Sequence, residues 1–313
     1  MATILDPLTW DYEWSYDIEQ TLLASKGVDL AIPADAAERD NLTRRADVVI
    51  SSSLVPIDES VLAGFENCIG IVCYSSGLDA VDLDAAARAG IEVRNVQANY
   101  LEVADHAMAL LLSLWRLILP MTDAAEKGKW DLREFPEIWS IPRLSGQTLG
   151  IVGVGRVGRE VAVRGRAFGM NTIATYHHPP QPEDSDLPHF DLKKLFSRSD
   201  AVVLSASLKP DSIAMINSDV LANAKPGSVL VNVARGRLID ETALMKALDS
   251  GLLAGAALDV RVSEPPDDED PLSGRADVIQ TPHIAGASAG AIRDLHEGAA
   301  ARIVELLELS GRL

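Results

Sequence analysis

Arg235, Glu264 and His283 are the residues of this 313-residue chain whose types could together move a proton and hold an acid. An imidazole titrates near neutral pH and can give a proton to a carbonyl oxygen. A carboxylate bonded to an imidazole favours its charged form and fixes its tautomer. A guanidinium offers a planar fork that grips a substrate carboxylate in bidentate fashion. With a hydride donor beside them, this set predicts reduction of a small anionic 2-oxo acid to a 2-hydroxy acid. Arg235 would then supply the local positive charge that the rest of the chain lacks, because 46 acidic residues face 28 basic ones for a net charge of −18.

The hydride donor is implied by Gly153-Val154-Gly155-Arg156-Val157-Gly158, a G-x-G-x-x-G run. It follows the apolar stretch "TLGIVGV" (148–154), expected as a strand, and opens a helix from Arg156 to Phe168. In that setting the first glycine allows a tight turn, the second lets a pyrophosphate approach the backbone, and the third lets helix and strand pack closely. The free amides and the helix dipole would face the phosphates.

Open parallel sheets bind ligands beyond the carboxyl ends of their strands. Three expected strands, 227–233, 255–260 and 276–281, are followed by Ala234-Arg235-Gly236, by Glu264-Pro265 and by Pro282-His283-Ile284. Taken singly, these are a surface arginine, a loop glutamate and a capped histidine. Delivered together to one sheet edge beside a dinucleotide loop, they read as a site.

The same alternation of apolar runs and helical stretches extends along the chain. Strands are expected at 46–53, 68–76, 90–95, 171–176 and 200–206, with helices at 82–90, 240–251 and 291–309. Strand–helix–strand repetition implies parallel sheets covered by helices. The fold class is therefore α/β, with doubly wound parallel sheets. The run "AMALLLSLWRLILPM" (107–121) is the most apolar segment and belongs to a long helix over about 104–119. It contains Arg116 and is shorter than a bilayer requires, so a buried or interface helix is expected and no membrane span.

Acidic balance argues against nucleic acid and anionic membranes as partners. Hydrophobic content of 47% with 24% charged residues fits a globular chain of two domains. No cleaved secretory leader is expected, and two cysteines fit a reducing, cytoplasmic setting. Cys68 and Cys73, an odd offset within an expected strand, are assigned to opposite faces and to burial as small apolar residues. The acidic stretch "PPDDEDP" (265–271) reads as a solvated turn and not a metal site, and no metal is expected. His106, on the long helix, reads as a structural histidine.

The stretches "TLGIVGVGRVG", "VNVARGRLIDETALMKAL", "AGAALDVRVSEP" and "IQTPHIAGAS", with "YSSGLDAVDL" and "VADHAMALLLSLWR" nearer the start, resemble the D-isomer-specific 2-hydroxyacid dehydrogenases over nearly the whole chain. Within that family, the glycine-loop helix is similar to the branch of the C-terminal-binding protein corepressors. The resemblance implies a flavodoxin-like substrate domain of residues 1–103 and 287–313, and a Rossmann cofactor domain of residues 104–286. It implies catalysis by Arg235, Glu264 and His283, and a homodimer built on the 104–119 helix and the arm around Trp130. It implies NAD or NADP, NAD being favoured, held by Ser76, Gly153, Gly155, Arg156, Val157, Gly158, His177, Ala206, Ser212, Val233, Ala234, Arg235, Asp259, His283 and Gly286. Asp259 is expected on the nicotinamide amide. Ser75, Ser76 and Gly77, with Arg235 and His283, are expected to bind the substrate, near the loop Ser52-Ser53-Leu54.

Two departures from the family pattern concern the cofactor. Its usual acid after the second cofactor-domain strand is replaced by His177, which removes the barrier to a 2′-phosphate, yet no arginine follows in "HHPPQPED". The loop "LSASLKPDS" (204–212) lacks the family's usual His and Pro. Two other functions fit parts of the pattern. One is a phosphite- or formate-type dehydrogenase, although formate enzymes carry Gln where Glu264 stands. The other is a dinucleotide-sensing regulator.

Overall fold

The structure is a computed structural model and describes residues 1–5, 15–52, 55–176 and 186–313. The chain divides into two compact units, residues 1–99 with 287–313, and residues 100–286.

The first unit is built on five parallel strands, β1 (Ala2–Ile4), β2 (Leu30–Ala31), β3 (Val48–Ser51), β4 (Gly70–Cys73) and β5 (Glu92–Asn95), in the order β2-β1-β3-β4-β5. That is the flavodoxin-like order. Its helices are α1 (Asp17–Ala24), α2 (Ala36–Arg45), α3 (Glu59–Leu62), α4 (Leu83–Arg88) and the chain-closing α11 (Ala289–Leu309). Strand residues alternate between two cores. Val48, Ile50 and Val72 join one cluster with Ala299, Ile303 and Leu306 of α11, while Val49, Ile71 and Cys73 join Leu62, Ala85 and Ala86 on the other side. Both faces of β3 and β4 are therefore buried, which is why these two strands read as apolar runs.

One polar cluster lies inside this unit. Glu19 of α1 is fully buried and accepts from the Tyr74 hydroxyl and from Nδ1 of His296 on α11. The Tyr16 and Tyr74 rings stack with centroids 6.4 Å apart, and His296 meets both edge-on. Burial, reinforced by the Glu19 charge, pushes the Tyr74 phenol far above its ordinary value.

The second unit begins with α5 (Tyr100–Trp115) and α6 (Ile118–Glu126). The single helix expected over 104–119 is thus two helices bent by 60°. Pro120 has no N–H for the Arg116 carbonyl, and Leu117 takes a left-handed backbone with φ 54°, so the helix ends and restarts. Among the described residues no single helix is long and apolar enough to cross a membrane.

Six parallel strands follow, β6 (Thr148–Val152), β7 (Asn171–Thr175), β8 (Ala201–Leu204), β9 (Ser228–Asn232), β10 (Leu253–Leu258) and β11 (Val278–Gln280). Between them run α7 (Arg156–Ala167), α8 (Leu192–Arg198), α9 (Ser218–Leu221) and α10 (Glu241–Asp249). The order is β11-β10-β9-β8-β6-β7, continued past β7 by one parallel bridge between Ala174 and His189. Chain direction across the sheet reverses at β6, so its carboxyl end is the topological switch point of a doubly wound sheet. Alternation again serves two cores. Val202, Leu204 and Leu230 pack with α8–α10, and Ile151, Val203 and Val231 pack with α5 and α7.

Cys68 precedes β4, so strand alternation does not reach it. It packs on the same cluster as Cys73 and not on the opposite face. Both thiols are free, and burial pushes them up, to about 11 for Cys68 and about 12 for Cys73.

Candidate active site

The switch point at the end of β6 carries the glycine loop. Gly153 has φ +94°, and a Cβ there would lie 2.5 Å from the Ala206 Cα of the loop after β8. A Cβ on Gly158 would lie 2.2 Å from the Gly153 carbonyl oxygen, so this glycine lets α7 start against the strand end. The Ser205 hydroxyl donates to that same carbonyl at 2.7 Å. Gly155 differs, because nothing lies within 4 Å of its absent Cβ. It is the N-cap of α7 and offers no capping side chain, whereas α2, α4, α8, α10 and α11 are each capped by their own Asp or Ser. Uncapped amides at a helix start in an open loop suit an anion such as a pyrophosphate.

Other expected cofactor residues lie around this loop or on nearby strand ends. The Arg156 guanidinium sits 5.5 Å above the Tyr100 ring, and Val157 packs against the core on the α5 and α7 side. Ser212 closes the turn after β8, its hydroxyl accepting from the Lys209 amide at 2.7 Å. Val233 and Ala234 are buried at the end of β9. His177 lies outside the described residues, as do Ser53 and Leu54.

Because β9, β10 and β11 are neighbours and parallel, their carboxyl ends stand side by side. They carry Arg235, Glu264 and His283. Nδ1 of His283 lies 2.7 Å from Oε2 of Glu264. A carboxylate only accepts, so the ring proton is on Nδ1 in this contact. Both side chains are partly exposed, as a pair that must meet a ligand requires. Arg235 is half-buried and donates from Nη1 to the Ala234 carbonyl at 2.7 Å, which braces its guanidinium against the strand end.

The backbone under these residues is fixed by side chains that the sequence reading did not single out. Asn232, fully buried at the end of β9, accepts from the Ala234 amide at 3.0 Å and donates to the Arg235 carbonyl at 2.9 Å. His283 itself has φ 53°, a left-handed conformation that a non-glycine residue rarely adopts and that costs about 1–2 kcal/mol. Asp259 holds it there. Its carboxylate accepts from the Thr281 hydroxyl at 2.6 Å and from the amides of Ile284 and Ala285 at 2.9 Å each. The His283 amide donates to the Asp259 carbonyl, also at 2.9 Å. Asp259, expected on a nicotinamide amide, makes three bonds to the loop of His283. His106 of α5 adds a contact of Nε2 with Thr281 Oγ1 at 3.1 Å. An Asp directly after an apolar strand and a Thr two residues before the histidine are the signals that could have found this anchor.

The acidic stretch 265–271 is more than a solvated turn. Asp270 is paired with buried Arg261 at 2.8 Å and accepts from the Ser273 hydroxyl at 2.6 Å. The Arg261 guanidinium holds the Asp270 carboxyl well below the usual carboxylate range.

Ser75, Ser76 and Gly77 belong to the first unit, at the carboxyl end of β4. Ser75 Oγ donates to the Gly77 carbonyl at 2.6 Å, and Asn95 Nδ2 to the Ser76 carbonyl at 2.6 Å, making a tight turn of small residues.

Comparison with known proteins gives the family and the fold. Residues 108–285 match the family model of the D-isomer-specific 2-hydroxyacid dehydrogenase NAD-binding domain. The chain is 36% identical over 285 residues to a hydroxypyruvate reductase of Thermotoga maritima, covering 88% of this chain and 91% of that one. It is 37% identical over 264 residues to D-3-phosphoglycerate dehydrogenase of Rattus norvegicus, covering 83% of this chain but 48% of that one. The chain thus spans about half the length of the latter relative. Among solved structures, D-lactate dehydrogenase from Aquifex aeolicus, complexed with NAD and lactic acid, superposes with a TM-score of 0.85. It is 26% identical, with 99% of this chain and 95% of that one covered. The two parallel sheets accord with these matches, and the chain belongs to the D-isomer-specific 2-hydroxyacid dehydrogenase family.

Proposed function

We propose that the protein is a nicotinamide-dependent reductase of small 2-oxo acids, interconverting them with D-2-hydroxy acids. The observation that carries this reading is the 2.7 Å contact of His283 Nδ1 with Glu264 Oε2, on the sheet edge that also bears Arg235 and the glycine loop. NAD or NADP fits the uncapped start of α7 and the open space at Gly155. Gly153, Gly155, Arg156, Val157 and Gly158 would hold its pyrophosphate, with Ala206, Ser212, Val233, Ala234 and Gly286 around the rest. A bound nicotinamide supplies the hydride.

The protein's own groups do the remaining work. Glu264 keeps a proton on Nδ1 of His283, so the proton exchanged with the substrate oxygen is the one on Nε2. In reduction His283 gives that proton, and in oxidation it takes it back. Arg235 pairs with the substrate carboxylate and orients the 2-carbon beside His283. Ser75, Ser76 and Gly77, a tight turn of small residues in the first unit, are the further residues proposed to bind the substrate. A homodimer through α5, α6 and the segment around Trp130 completes the proposal. Its support is the exposed apolar surface of Ile118, Leu119, Trp130, Leu132 and Trp139, with Trp130 78% and Trp139 74% exposed.

The test is reduction of glyoxylate and hydroxypyruvate with NADH and with NADPH, beside fluorescence titration of both cofactors. Wild type turns over at least one acid with one cofactor. Arg235→Lys, which replaces the fork by a point charge, loses about 10–100-fold in kcat/KM, the equivalent of one charged hydrogen bond. Failure to bind either cofactor, or an unimpaired Arg235→Lys enzyme, overturns the reading.

A further inference from the structure

The triad residues stand on three separate loops, and one buried cation bonds to a residue in or next to each of them. Arg261, two residues after Asp259, is 8% exposed. Its Nε donates to Glu241 Oε1 at 2.9 Å, at the start of α10, which follows the Arg235 loop. Its Nη1 and Nη2 grip Asp270 at 2.9 and 2.8 Å, and Nη1 also donates to Gln280 Oε1 at 2.5 Å. Gln280 is the last residue of β11, three before His283. The Arg261 amide donates to Oε1 of Glu264 at 2.8 Å, fixing the oxygen that His283 does not use. Gly236, next to Arg235, lies flat against the same peptide, where a Cβ would come within 1.9 Å of the Arg261 carbonyl carbon.

From this we infer that Arg261 is a positioning residue for the reaction proposed above. Its guanidinium holds the loops after β9, β10 and β11 in mutual register, so that the Glu264 carboxylate meets His283 beside Arg235. The inference rests on that reading of the site for its kinetic consequence, though not for its structural one. The chemistry suits arginine alone. Four donor contacts on three acceptor side chains need a rigid planar fork, and an ammonium could serve one or two of them. Both oxygens of Asp270 are engaged by Arg261, so the guanidinium's orientation is set and its remaining donors are aimed at Glu241 and Gln280.

Two variants test it. Arg261→Met removes the fork, and Gln280→Met cuts the link to the His283 strand while leaving the Arg261–Asp270 pair intact, which protects against an unfolded product. With a 2-oxo acid as substrate and bound NADH unchanged, kcat falls about 10–100-fold in Arg261→Met, as expected for catalytic groups displaced by about 1 Å, and by a smaller factor in Gln280→Met. KM moves less than kcat. Because Arg261 acts through Glu264, the Arg261→Met/Glu264→Gln double variant is little slower than Glu264→Gln alone. A merely structural arginine would instead lower thermal stability and leave the kcat of the folded fraction within twofold, or give losses that multiply. Either result overturns the inference. Should wild type reduce no 2-oxo acid, the proposed function falls, and crystal structures of the two variants still decide the positioning role. A Glu264–His283 contact beyond hydrogen-bond reach in either variant supports it, and an intact 2.7 Å contact in both overturns it.

Discussion

Asp259→Asn isolates the anchor beneath His283. The carboxylate is 2% exposed and accepts three bonds, two at Oδ1 and one at Oδ2. An asparagine can keep its oxygen toward Thr281 and Ile284, but its amide then faces the Ala285 N–H, donor against donor. One bond to a charged acceptor is lost, about 1.5–3 kcal/mol, and a buried amide is left unmet. Some of this returns when His283 relaxes from φ 53°, a conformation worth about 1–2 kcal/mol. The net cost is about 2–3 kcal/mol. For a unit of this size each kcal/mol lowers Tm by about 2–4 °C, so the transition of the second unit falls by about 4–12 °C. Scanning calorimetry on wild type and variant reads the fall, and steady-state kinetics reads the accompanying loss of kcat, expected at about tenfold or more. A Tm within about 1 °C of wild type and kcat within twofold would refute the reasoning, by showing that the loop keeps its shape without the charge.

The glycine loop separates packing from ligand access. Gly158→Ala, whose Cβ would meet the Gly153 carbonyl at 2.2 Å, lowers both Tm and affinity for NADH. Gly155→Ala, with open space around its Cβ, leaves Tm unchanged and weakens NADH about tenfold or more in fluorescence titration. The Arg261–Asp270 pair gives a pH signature. The folded Asp270 carboxyl lies below its ordinary 3.8. Its stabilisation is therefore complete above that value and is lost as pH falls from there toward the folded value. Asp270→Asn is less stable than wild type at pH 7, and thermal melts show the gap closing below about pH 4. A gap that stays constant down to pH 2 removes the pair from the acid response.

What the sequence disclosed, and what it withheld, follow from the range of the interactions. The six strands of the second unit were legible because the central ones, β6, β8, β9 and β10, are almost wholly buried and nearly unbroken runs of apolar and small residues. Gly153, Gly155 and Gly158 were legible because their roles are local to one turn. Arg235, Glu264 and His283 could be grouped because parallel strands place their carboxyl ends on one edge, which connectivity alone implies. The Arg261 hub was not legible, since its three acceptors, Glu241, Asp270 and Gln280, come from three places in the chain and each looks like a surface polar residue. Asp270 sat among other acids in a stretch that composition reads as solvated. Glu19 and His296 are 277 positions apart, and no pattern links them. The break after Trp115 did have a local signal in Pro120, masked by the apolar run around it. β1 and β2, of three and two residues, are too short for periodicity to register.

The Glu19–His296 contact has a consequence for how the chain is made. A ribosome delivers Glu19, β1, β3 and β4 early, but His296 and the α11 residues that finish this core emerge only after the whole of the other unit. At about 5–20 residues per second that interval is roughly 10–40 s. Throughout it, the nascent first unit holds a buried-type acid without its histidine and an apolar sheet face that α1 covers but α11 does not. Residues 100–286, whose contacts close within themselves, can fold in the meantime. Synthesis thus runs against the written order of the units, with the segment inserted in the middle maturing before the one that starts first.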